Sequence, residues 1–190
     1  MKLSSIALPL LVAFSLSGCG SMLATMESNT LEEDAGERTI GQQIEDESIE
    51  TKAVVNLAAA NETFDSCHVV AVSYNGYVLL AGQVHTAELK AEATAVVRKI
   101  RNVRRIYNEL EVASPSSAMT RSSDTWITTK VKSYLLGRSG TEGNRVKVVT
   151  ENGVVYLMGL ATKEEADRVV EVASGIGGVQ RVVRIFEIID

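Results

Sequence analysis

Tyr74-Asn75-Gly76-Tyr77-Val78-Leu79-Leu80-Ala81-Gly82 and Glu151-Asn152-Gly153-Val154-Val155-Tyr156-Leu157-Met158-Gly159 are the two stretches that decide the fold. In each, Asn-Gly separates two short apolar runs. Both residues tolerate the positive φ of a type I′ turn, so the pair predicts a β-hairpin. Before the first turn, Val70, Val72 and Tyr74 alternate with Val69, Ala71 and Ser73, as a strand requires. The two stretches lie about 77 residues apart, and they do not repeat alone. Asp46-Glu47-Ser48-Ile49-Glu50-Thr51-Lys52 matches Asp124-Thr125-Trp126-Ile127-Thr128-Thr129-Lys130. Thr86 and Glu88 match Thr162 and Glu164, and Ile100-Arg101-Asn102-Val103 matches Ile176-Gly177-Gly178-Val179. Blocks in one order at one spacing mark an internal duplication.

Working outward from the hairpin, each copy begins with a helix. In the second copy Ile127, Val131, Tyr134 and Leu135 share one face at helical spacing, with Asp124 placed as N-cap and Gly137 as stop. A second helix is expected over about 88–101 and 164–174, and a closing strand over about 105–112 and 181–188. The order is α-β-β-α-β. The fold class is therefore α+β: two tandem domains, each a three-stranded mixed sheet packed on two helices. The expected boundaries are 46–113 and 124–190, joined by a Ser-rich linker at 114–123 that contains Pro115.

The N-terminus reads differently. Lys2, an apolar run from Ile6 to Leu16 and then Leu16-Ser17-Gly18-Cys19 describe a secretory signal over residues 1–18. The run is shorter than the roughly 20 apolar residues needed to span a bilayer. Its last four residues resemble the bacterial lipobox, which makes Cys19 the lipid attachment site. Such lipoproteins normally carry three acyl chains, and two or more anchor stably. Gly20 follows the cysteine where inner-membrane retention usually requires Asp, so the expected location is the outer membrane, facing the periplasm. Residues 19–45 carry six acids and one base and lack a sustained period, and they are read as a disordered tether.

Composition bounds the chemistry. The 190 residues include two cysteines and two histidines. Lipidation of Cys19 leaves Cys67 alone. Its plainer reading is a half-buried small residue beside a strand, the sharper one an intermolecular disulfide or a metal site with His68. Adjacent Cys and His are poorly spaced ligands, and no metal or cofactor is expected. No Gly-x-Ser-x-Gly elbow or phosphate-binding loop occurs, and the reading is non-enzymatic. The formal charge of −5 does not describe a nucleic-acid binder. A basic run, Arg98, Lys99, Arg101, Arg104 and Arg105, is attributed first to favourable charge at a helix C-terminus, with a headgroup or protein contact as the alternative.

The Asn-Gly hairpins, the Leu-x-Gly at Leu80–Gly82 and Leu157–Gly159, and the Ile-x-x-Val at Ile100–Val103 and Ile176–Val179 resemble the BON domain. Two such domains behind a lipobox resemble the dual-BON outer-membrane lipoproteins, and Ser123-Asp124-Thr125-Trp126-Ile127-Thr128-Thr129-Lys130-Val131 resembles them especially closely. The resemblance implies a protein that supports outer-membrane integrity at the membrane's inner leaflet and acts at the division site. It also implies that the second domain binds anionic phospholipid of phosphatidylglycerol or cardiolipin type. The first domain departs from the second in having Ser48 where the second has Trp126.

On an ideal helix Trp126 lies about 125° from the apolar face, with Lys130, Ser133 and Leu136 on the same broad side. An exposed Trp beside Leu and Lys suits a bilayer interface, with the ring at headgroup level and the ammonium at phosphate. Residue patterning alone equally allows Trp126 to pack against the other domain or the linker, and the resemblance tips the reading to the membrane. The expected phospholipid-binding set is Trp126, Thr129, Lys130, Ser133 and Leu136. The alternatives are an adaptor that docks on outer-membrane assembly proteins through a sheet face or strand edge, and a tethered periplasmic chaperone.

Overall fold

Each first helix starts where a hydroxyl can cap it. A computed structural model describes residues 36–190; the signal peptide, Cys19 and the tether through residue 35 lie outside the described residues. The Thr39 hydroxyl accepts from the Gln42 backbone, and Gln42 reciprocates in a capping box, so α1 runs Ile40–Ala60. The expected tether therefore ends earlier than residue 45. Ser117 likewise caps α3, Ala118–Gly137. Neither Gly nor Pro interrupts 118–123, so the second half of the expected linker becomes the first turns of the helix. Asp124, expected as an N-cap, sits inside α3 and is 5% exposed.

In the first copy α1 is followed by a short 3₁₀ turn, β1 (His68–Tyr74), β2 (Tyr77–Val84) and α2 (Ala87–Val97). The closing strand expected over 105–112 is broken into β3 (Arg105–Asn108) and β4 (Glu111–Val112). Asn108 causes the break: its amide donates to the Lys90 carbonyl at 2.6 Å and Thr94 Oγ1 at 2.7 Å, and its Oδ1 accepts from the Leu110 backbone at 3.2 Å. The kink carries Leu110 into the core. In the second copy β5 (Lys147–Glu151), β6 (Val154–Ala161) and α4 (Lys163–Ser174) lead to one unbroken strand, β7 (Arg181–Ile188). Both sheets are mixed, with β1–β2 and β5–β6 antiparallel and the closing strands parallel to β2 and β6. Asn75 and Gly76 have φ of 51° and 73°, Asn152 and Gly153 of 50° and 75°, the left-handed pair that the turn type demands.

Alternation along the strands builds three cores. Val78, Leu80 and Val84 of β2 meet Ile49, Leu57, Ala93 and Val97 of α1 and α2. Val155, Leu157 and Ala161 of β6 meet Ile127, Val131, Leu135 and Val169 of α3 and α4. The opposite faces pack on each other: Val72, Tyr74, Leu79 and Ala81 join Tyr156, Met158, Leu160 and Ile185 in a third cluster. The central strands β2 and β6 are consequently apolar on both sides, which explains their continuous hydrophobic runs. The helices lie on the two outsides of a four-layer stack. Lys147 with Glu50 at 2.6 Å and Arg104 with Glu187 at 2.6 Å pair across the joint. His68 and Glu151 also face each other there at 3.2 Å, and burial holds the Glu151 carboxyl above its usual range against the pull of His68. The sheet face considered as an adaptor surface is thus occupied by the other domain.

Candidate functional site

Why the two copies open with the same Asp is visible at the hairpins. Asp124 Oδ2 accepts from the Asn152 backbone at 2.8 Å, and its Oδ1 from Gly153 at 2.9 Å. Asp46 repeats this oxygen for oxygen, accepting from Asn75 at 2.8 Å and Gly76 at 2.9 Å. Each helix is therefore rotationally fixed against its turn. In the second domain this lock decides which side chains of α3 face outward.

The buried side of α3 is Asp124, Ile127, Val131 and Leu135. Trp126 is 61% exposed, and Thr129, Ser133 and Leu136 are exposed with it. Lys130 is half-buried, its Nζ 5.5 Å from the centre of the Trp126 ring, in cation–π range. The five expected residues thus share one broad surface. Tyr134 corrects the expectation that it belongs to the core face: it is 63% exposed. On an ideal helix it lies about 60° from the centre of the Ile127–Val131–Leu135 stripe, at the rim. Met119, in what was expected to be linker, is also exposed and lies one heptad before Trp126. Lys132, in contrast, points inward, donating to the Gly143 and Val146 carbonyls at 2.7 and 2.6 Å, and burial lowers the pKa of its ammonium.

Two shallow grooves flank this surface along the loop between α4 and β7. One, of about 370 Å³, runs beside Met119, Trp126 and Ile127 to Gly177 and Gly178. The other, of about 260 Å³, is lined by Lys130, Tyr134 and Arg138 against Ile176. Gly178 has φ of 102°, and a Cβ there would press on the Ile127 side chain at 3.1 Å. Gly178 lets the loop lie close to α3. Sequence reasoning used them only as a repeat marker; the signal for their role was the replacement of Arg101-Asn102 by Gly177-Gly178 in the second copy. Cys67 is half-buried at the edge of the first core, its thiol 3.4 Å from the Thr63 carbonyl, as its plainer reading expects.

Among the described residues no helix is long and apolar enough to cross a membrane. The model of the BON domain matches residues 45–114 and 123–189. The chain is 39% identical over 153 residues to a protein named outer membrane lipoprotein DolP of Haemophilus influenzae, covering 80% of this chain and 79% of that one. It is 36% identical over 148 residues to a 21 kDa hemolysin of Actinobacillus pleuropneumoniae, covering 78% and 76%. With the osmotically-inducible protein Y of Escherichia coli it shares 27% identity over 172 residues, covering 86% and 85%. The chain belongs to the BON-domain family, as a dual-BON protein of the DolP type.

Proposed function

We propose that this chain is a lipid-anchored outer-membrane protein, non-enzymatic and facing the periplasm, that binds anionic phospholipid through the outer face of α3. One observation carries the reading: Trp126 stands 61% exposed on a locked helix with the Lys130 ammonium beside its ring. An indole with a cation over its ring matches the boundary between acyl chains and phosphate. The flanking grooves give Met119 and Tyr134 a place on the same surface. Lone contacts of this kind are weak, since a Lys or Arg near an anionic surface contributes about 1 kcal/mol. A lipid on Cys19 raises the local concentration of bilayer, so weak contacts become populated. The outer-membrane assignment draws on the lipobox and on the likeness to DolP, and a role in envelope integrity and at the division site draws on that likeness alone.

The test is Trp126→Glu in the unacylated chain, residues 20–190. It should abolish binding to phosphatidylglycerol micelles, read by NMR, while the dispersed amide spectrum of the fold persists. Binding equal to the parent would reject α3 as the lipid contact.

A further inference from the structure

The duplication supplies an internal control for the basic run in the first domain. Arg98-Lys99-Ile100-Arg101-Asn102-Val103-Arg104-Arg105 and Ser174-Gly175-Ile176-Gly177-Gly178-Val179-Gln180-Arg181 make the same turn from helix to parallel strand. Both bury the Ile, and both place a positive φ at the residue before the Val, 66° at Asn102 and 102° at Gly178. Both return a backbone bond to the hairpin, Arg104 to the Gly76 carbonyl at 2.8 Å and Gln180 to the Gly153 carbonyl at 2.9 Å. The second domain does all this with one cation, Arg181. The turn therefore forms without the four additional cations of the first.

Arg104 has its own reason, the ion pair with Glu187. Arg105 rests over the Tyr77 ring at 5.4 Å and donates to Tyr107 Oη at 3.3 Å, held extended on an aromatic pair. Arg98, Lys99 and Arg101 are exposed, and no ion pair engages them among the described residues.

Contacts run across one end of the molecule from this loop to α3. Arg104 donates to the Asn75 carbonyl at 3.2 Å, and Gln42, near the start of α1, donates to Asn75 Oδ1 at 3.3 Å. The neighbouring Tyr74 hydroxyl donates to the Arg145 carbonyl at 2.7 Å. Gly143, two residues before it, lies against the Leu135–Leu136 backbone of α3. The loop, the start of α1 and the C-terminal turn of α3 thus share one end, the end opposite the Asn152-Gly153 hairpin beside which Trp126 stands.

We propose that the loop 98–105 is a second anion-binding surface, an electrostatic foot that rests on the phosphates of an anionic bilayer. None of the exposed large apolar side chains lies within it, so it does not insert. Four or more Lys and Arg in a short run is the density at which anionic lipid surfaces are read by charge alone. The surface differs in kind from α3, where an indole enters and salt matters less. The proposal does not depend on the α3 reading, and the two fail separately.

The experiment exchanges the loop for its own counterpart: Arg98→Ser, Lys99→Gly and Arg101→Gly in the unacylated chain, with Arg98→Gln, Lys99→Gln and Arg101→Gln as a second variant that keeps side-chain bulk. Co-sedimentation is measured with phosphatidylglycerol–phosphatidylcholine vesicles and with phosphatidylcholine alone, at low and high salt. Trp126 is the sole tryptophan, so its emission reports α3 in the same sample. Each Lys or Arg beside an anionic surface strengthens binding roughly five-fold. Both variants should bind anionic vesicles at least about ten-fold more weakly and lose most of the salt dependence, while Trp126 still shifts to the blue at saturating lipid. Parental affinity with parental salt dependence in the glutamine variant would overturn the proposal and leave an acidic protein segment as the loop's counterpart. Loss of the Trp126 shift in the parent, with loop-dependent sedimentation intact, would overturn the α3 reading and keep this one.

Discussion

Asp46 and Asp124 show how much a single buried carboxylate settles. Each closes two backbone N–H groups of a tight turn that the sheet leaves unpaired. Asp46 does more, accepting also from Ser73 Oγ at 2.6 Å and Arg38 at 2.6 Å. Burial works to raise its pKa, but the hydrogen bonds from Ser73, Gly76, Arg38 and Asn75 outweigh it and hold the carboxyl below its ordinary 3.8. A group whose folded pKa is depressed contributes stability that is present above the unfolded value and lost as pH falls through the folded one. Unfolding of the parent by urea should therefore lose stability below about pH 4 in part through this group. Asp46→Asn should cost ~3 kcal/mol at neutral pH, because it removes charge-assisted bonds to otherwise unpaired donors, and should flatten the acid limb. Equal acid limbs in the two proteins would remove Asp46 from that role.

At the scale of elements, the hairpins were legible because Asn-Gly has one common use between apolar runs, and both turned out as the type requires. The starts of α2 and α4 were legible to within a residue, but those of α1 and α3 were not. Asp124 has the chemistry of an N-cap, and nothing local distinguishes a capping carboxylate from one spent on a turn 28 residues away. Ser117 supplies the real cap. Tyr134 was misplaced for a related reason: a 3.6-residue period locates the centre of a stripe well and its rim badly. The outward set Trp126, Thr129, Lys130, Ser133 and Leu136 was legible because it lies opposite that centre. The grooves beside it were not, since they depend on how closely the 175–178 loop approaches α3. Gly178→Ala tests this approach: with φ at 102° and Ile127 in tight contact, it should destabilise the protein by roughly 1–2 kcal/mol in thermal unfolding. A neutral result would mean the loop has room to spare.

For the molecule as a whole, sheet-to-sheet packing directs both pairs of helices outward and makes the described residues, 36–190, one compact unit. The two domains then differ by what they expose rather than by how they fold. The first shows aliphatic residues on an acidic α1 and five cations on its last turn; the second shows an aromatic and basic α3 and a last turn with the single cation Arg181. A duplicated scaffold has thus been given two chemically distinct outer surfaces, on a chain whose sequence predicts a lipid at the far end of a tether. Sequence alone could not place the domains against each other, because Tyr156 and Met158 read equally well as strand interior in a free-standing sheet. The account turns on whether the Trp126 indole enters the bilayer. Phosphatidylglycerol vesicles carrying bromine on their acyl chains quench only a tryptophan that reaches those chains; the account predicts strong, headgroup-dependent quenching of Trp126 emission by them and little by brominated phosphatidylcholine. Unquenched emission from protein that demonstrably sediments with the brominated phosphatidylglycerol vesicles would contradict it.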